Sequence, residues 1–115
     1  MFYLLMIFTM HFLADFAIQT EWMALGKSKE WSPLLAHIGT YTAILLLFSS
    51  LFLPPLVAVL WTVSNGLCHL VVDYFSSRAM RRARESGQER KFFMILGLDQ
   101  MLHFWCLFGI LALLI

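Results

Sequence analysis

Apolar residues run through this chain in four long blocks separated by two polar connections and a Pro54-Pro55 break. The blocks cover about residues 2–24, 33–53, 56–84 and 92–115, the third carrying a basic extension beyond about residue 77. Each apolar core is close to the ~20 residues that cross a hydrocarbon layer at ~1.5 Å per residue. Lipid offers the backbone no hydrogen-bond partner, so the blocks are expected as helices. Ser32 is placed to cap the second block with Pro33 at its first helical position, and Pro54-Pro55 separates the second block from the third. Short connections make neighbouring helices antiparallel. The pattern therefore predicts an all-α fold: one transmembrane domain over residues 1–115, built as a four-transmembrane-helix up-down bundle.

Composition agrees with a membrane protein. Of 115 residues, 61% are hydrophobic and 13% charged, more apolar surface than a soluble domain this small can bury. The net charge of +1 carries little information, but its distribution carries much. Lys27 and Lys29 lie in the first connection, and Arg78, Arg81, Arg82, Arg84, Arg90 and Lys91 lie in or beside the third. In an up-down topology these connections share one face, which the positive-inside rule makes cytoplasmic. Both termini and the Pro54-Pro55 turn are then extracytoplasmic. The first block has no basic leader and no small-residue cleavage motif, and reads as a retained helix. Cys68 and Cys106 sit in separate apolar blocks and form no disulfide framework. The basic stretch from Arg78 to Lys91 is diluted by Glu85 and Glu89. It reads as a contact for anionic lipid head groups and not as a nucleic-acid surface.

Against this background the intramembrane ionisable residues stand out. His11 and Asp15 lie in the first block, His37 in the second, His69 and Asp73 in the third, and Asp99 and His103 in the fourth. These are all the His and all the Asp of the protein. His and Asp four apart share a helix face, and that spacing occurs three times. The order reverses in the antiparallel fourth helix, which restores one vertical arrangement with Asp nearer the cytoplasm. Counted from Glu21, Arg78 and Lys91, the three carboxylates lie roughly 8–12 Å below the cytoplasmic border. The imidazoles of His11, His69 and His103 lie about one turn deeper, and His37 near the Asp layer.

Each Asp at such a depth costs ~2.5–3.5 kcal/mol to insert. Coordination of a divalent cation by carboxylates and neutral imidazoles offsets that cost. The ligand set His11, Asp15, His37, His69, Asp73, Asp99 and His103 suits one or two ions, zinc first, with iron and manganese also compatible. The bland alternative is interhelical hydrogen bonding as packing glue. Gln19, one turn beyond Asp15, is the leading candidate to support a ligand from behind. Tyr41, Ser64, Asn65, Tyr74 and Gln100 are further polar neighbours, with ordinary interhelical bonding the simpler reading for Tyr74 and Gln100. Cys106 reads as a buried structural thiol. Gly66, Gly97 and Gly109 read as points of close helix contact.

The run His11-Phe12-Leu13-Ala14-Asp15-Phe16-Ala17-Ile18-Gln19-Thr20, followed by Trp22-Met23 and a lysine-containing turn, resembles a family of small bacterial and phage membrane proteins known as a domain of unknown function. His37, His69-x-x-x-Asp73 and Asp99-Gln100-x-x-His103 resemble its remaining motifs, in order. The pattern is also distantly similar to membrane-bound metal-dependent hydrolases. That likeness implies a reaction class, metal-activated water attacking an ester or phosphoester, with Asp15, Asp73 and Asp99 as candidate catalytic carboxylates. The depth of the cluster, at the level of inner-leaflet head groups, points to a lipid or other membrane-associated substrate, and the expected location is a bacterial inner membrane. Arg78 and Arg81 are expected to hold a phosphate or simply to anchor in lipid. Two other functions use the same residues. One is a metal-ion or proton transporter or channel, which suits a homo-oligomer. The other is a non-catalytic membrane module braced by its metal.

Overall fold

The computed structural model describes residues 1–115 and is helical throughout, without a strand. Helix α1 spans Phe2–Phe12 and runs on into a π turn over Leu13–Ala17. A short α2 covers Glu21–Gly26, and α3, α4 and α5 cover Trp31–Ser49, Pro55–Glu85 and Glu89–Leu114. Three of these, α3, α4 and α5, are long and apolar enough to cross a membrane. The apolar stretch Phe2–Ala17 is shorter, roughly 24 Å at ~1.5 Å per residue. Helix α4 has 31 residues, more than a ~30 Å hydrocarbon core requires, and its basic residues gather in its last turns.

The first block is therefore not a continuous helix over 2–24. The backbone N–H of Ile18 bonds to Leu13 O in the five-residue step of a π turn, and the helix stops there. Thr20 then starts α2 by accepting a bond from Met23 N through its side chain, at 3.2 Å. The second helix also begins earlier than expected. Glu30, not Ser32, occupies the N-cap, and Pro33 sits inside the first turn. That placement is allowed because the first N–H groups of a helix have no partner within it.

Helix α4 packs between α3 and α5, while α1 and the π turn pack on α3. At Gly66 on α4 a Cβ atom would lie 2.6 Å from Thr42 Oγ1 on α3, so this glycine sets the approach of the two helices. Gly97 and Gly109 face open space. Contrary to expectation, they allow no close contact within the chain. An apolar core of Ile7, Met10, Ala14, Tyr41, Leu45, Trp61 and Leu107 fills the half of the bundle that carries both termini and the Pro54-Pro55 turn. It is closed by Trp61 Nε1, which donates to Leu107 O at 2.8 Å, and by a Ser49–Thr62 hydroxyl contact at 3.2 Å.

Candidate metal centre

All seven ionisable residues singled out from the sequence are buried, none more than 4% exposed, and they form one connected cluster. Its densest part joins Asp15 from the π turn, His37 from α3, and His69 and Asp73 from α4. One ligand atom from each of the four lies within 4.8 Å of the others. His37 Nε2 is 3.1 Å from Asp15 Oδ1, 3.0 Å from His69 Nε2 and 3.3 Å from Asp73 Oδ2. His69 Nε2 is 3.3 Å from each of the same two carboxylate oxygens. His37 meets the carboxylates at the Asp layer, as expected, whereas His69, expected one turn deeper, reaches both carboxylates as well.

These distances have a chemical meaning. Four ligands placed tetrahedrally about an ion at ~2.0 Å stand about 3.3 Å from one another. Five of the six separations in this group fall between 3.0 and 3.3 Å. Protons satisfy the arrangement poorly. Each Nε2 faces three close polar atoms, and a single N–H points at only one of them. A cation at the centre satisfies all four groups together.

Two further groups share members with the first: His11, Asp15 and His103, and Asp73, Asp99 and His103. His103 stands between two carboxylates, with Nδ1 3.2 Å from Asp99 Oδ2 and Nε2 3.7 Å from Asp73 Oδ1. Asp99 also accepts a short bond from Ser76 Oγ. His11 has both ring nitrogens engaged by protein. Its Nε2 is 2.9 Å from Gln100 Oε1, and its Nδ1 is 3.1 Å from the Tyr41 hydroxyl. Because the Gln100 oxygen only accepts, His11 donates through Nε2 and receives the Tyr41 proton at Nδ1. Tyr41 also lies against His69, with ring centroids 3.9 Å apart.

Two supporting residues differ from the sequence reading. Gln100 is an organising residue, since its Nε2 donates to Asp15 Oδ2 and Asp99 Oδ2, each at 3.0 Å. Gln19 makes no such bond. The helix ends at Ala17, so the four-residue step from Asp15 to Gln19 is not helical, and Gln19 Oε1 is buried without a partner. Asn65 bonds to Trp61 O, and neither cysteine joins a ligand group. Arg78 turns away from the cluster, its guanidinium 3.7 Å over the Tyr74 ring, which stacks on Trp31. That arrangement suits an aromatic belt at a membrane interface.

Lys27, whose place in the sequence marks only topology, reaches the cluster. Its ammonium donates to Asp73 Oδ2 at 3.0 Å, with the side chain 14% exposed. Burial opposes its charge, but Asp73, Asp15 and Asp99 outweigh that effect and raise its pKa above the ordinary lysine value. The contact depends on the short α2, which turns the chain back over the end of the bundle. Gly26 enables that turn, since a Cβ there would stand 2.5 Å from Pro33 Cγ. The signal available in the sequence was the position of Lys27, twelve residues after Asp15 in a connection too short to leave the site.

No curated protein and no solved structure matches the chain. Its whole length, residues 1–115, matches the family model described as Protein of unknown function (DUF3307), and it belongs to that family.

Proposed function

We propose that the chain is a four-span protein of a bacterial inner membrane, with its basic connections cytoplasmic and both termini outside, and that its buried cluster is a divalent metal centre serving hydrolysis. The tetrahedral spacing of Asp15, His37, His69 and Asp73 carries this reading. A mixed imidazole and carboxylate set at that spacing favours zinc. Charge bears on the ion count. With neutral imidazoles, one divalent ion and Lys27 together balance the three carboxylates, and a second ion would need a further anion such as hydroxide or a bound phosphate.

Four protein ligands close a tetrahedral ion to water, and a hydrolytic ion needs an open position. The hydrolase reading therefore needs a second ion at Asp73, Asp99 and His103, a group of three protein ligands and so one short of a closed tetrahedral set. Asp73 belongs to both groups and would be shared by the two sites; two ions would supply an activated water and a clamp on the substrate oxygens. A carboxylate oxygen not engaged in binding would accept the proton of that water. The cluster lies toward the basic end of the bundle, which suits an ester or phosphoester at the head-group level of the inner leaflet.

The closed four-ligand set also favours a second reading, a single ion that braces the helices. Elemental analysis of detergent-purified protein separates the two. Two ions per chain support the hydrolase, one ion supports the brace, and no stoichiometric metal under chelator-free conditions sinks both. A transport function is disfavoured by the apolar core around Trp61 in the other half of the bundle, where Ser49, Thr62 and Asn65 are the buried polar side chains.

A further inference from the structure

A cavity of about 510 Å³ opens between the basic connections, next to the cluster. Its lining includes Lys27, Lys29, Arg81 and Arg84 against one acidic residue, Glu85. Lys27 is the link to the centre, since it both lines the cavity and bonds to Asp73. Three buried polar atoms on the cavity wall have no hydrogen-bond partner: Ser77 Oγ, Arg81 Nε and Gln19 Oε1. Ser77 is only 5% exposed. Such groups cost stability unless a ligand or water meets them.

Their arrangement follows from α4. His69, Asp73, Ser77 and Arg81 are each four residues apart and form one stripe along the helix. The stripe begins at the metal ligands and ends at the basic border. Ser77 and Arg81 offer donors, which an anionic oxygen accepts, and Gln19 offers an acceptor, which a hydroxyl satisfies. Arg81 reaches Glu85 only at 3.4 Å, and Arg84 lies over the Phe92 ring at 4.4 Å. Phe16, Leu25 and Leu96 add an apolar wall.

We propose that this cavity is an anion subsite that holds the phosphate of a hydroxyl-bearing phosphate ester beside the metal centre. The inference rests on the hydrolase reading for its purpose, but the subsite is testable alone. Lys27 joins the two, since it bonds to Asp73 and also lines the cavity.

The test titrates the full chain in neutral detergent with inorganic phosphate, glycerol 3-phosphate and short-chain phosphatidic acid, and measures metal on the same samples. Saturable binding of at least one probe is expected. Arg81→Gln, Arg84→Gln and Ser77→Ala should each weaken it, by about tenfold where a charge-assisted bond is lost. Arg78→Gln, whose side chain faces Tyr74, should leave it unchanged. Preference for phosphatidic acid identifies a lipid source, and preference for glycerol 3-phosphate a soluble ester; both support the subsite. Absence of saturable binding by all three probes overturns it, as does wild-type binding in all three cavity variants. A metal-loaded protein that binds no phosphate removes the subsite alone. A protein that binds phosphate without metal removes the hydrolase reading alone.

Discussion

His37 and His69 face each other Nε2 to Nε2 at 3.0 Å across the α3–α4 contact. Two imidazole lone pairs repel at that distance unless a proton or a cation lies between them. The flanking oxygens of Asp15 and Asp73 make a cation the better partner. Gly66 permits the approach, because it lets α3 and α4 close on each other just outward of this pair.

Removing either imidazole should release the ion of the four-residue group. His37→Ala and His69→Ala are expected to lose metal by elemental analysis. Asp99→Asn should retain that ion and lose only a second one. Equal metal content in His69→Ala and wild type would falsify the assignment of this group.

Lys27→Met leaves a buried carboxylate without its ammonium partner. Breaking such a pair costs about 3 kcal/mol. The loss should appear as a lower thermal midpoint in chelator-treated protein. It should shrink when zinc is restored, because the ion then neutralises Asp73. A midpoint unchanged in both states shows that Lys27 does not stabilise the carboxylate.

Gly66→Ala should destabilise the bundle by about 1–3 kcal/mol through overpacking against Thr42. Thr42 has little room to yield, since its hydroxyl donates to Ile38 O at 2.7 Å. Thr42→Ala should therefore rescue Gly66→Ala in a double-mutant cycle. Gly97→Ala faces open space and should be neutral, or stabilising by up to about 1 kcal/mol through helix propensity. Denaturant titration in detergent reads all four variants.

Topology is checked by single cysteines in a Cys68→Ala, Cys106→Ala background. A cysteine at Ser86 should react with an impermeant reagent only from the cytoplasmic side, and one at Ser50 only from the outside. The reverse pattern would invert the site and place the phosphate cavity on the outer face.

Much of the site could be read from the chain. The apolar blocks located α3, α4 and α5, and the i, i+4 pairs marked which faces of α4 and α5 turn inward. What helical spacing could not supply is the order of contacts. His11 matches His69 in its spacing to an Asp, yet His11 is held by Tyr41 and Gln100 while His69 joins the four-residue group with Asp15, His37 and Asp73. Gln19 and Gln100 exchanged importance because the π turn ended the first helix early, a backbone choice that no periodicity announces.

The sequence by itself determined that polar, ionisable groups would gather at one depth among apolar helices, because periodicity and charge borders are local properties of the chain. Only the tertiary structure decided which atoms meet. The 3.0–3.3 Å spacing at His37 and His69, the return of Lys27 onto Asp73 and the orphaned Ser77 beneath a basic cavity all depend on packing between helices. Distances of that kind are set by side-chain volume and backbone approach, at Gly66 and Gly26 above all, and not by any one segment alone.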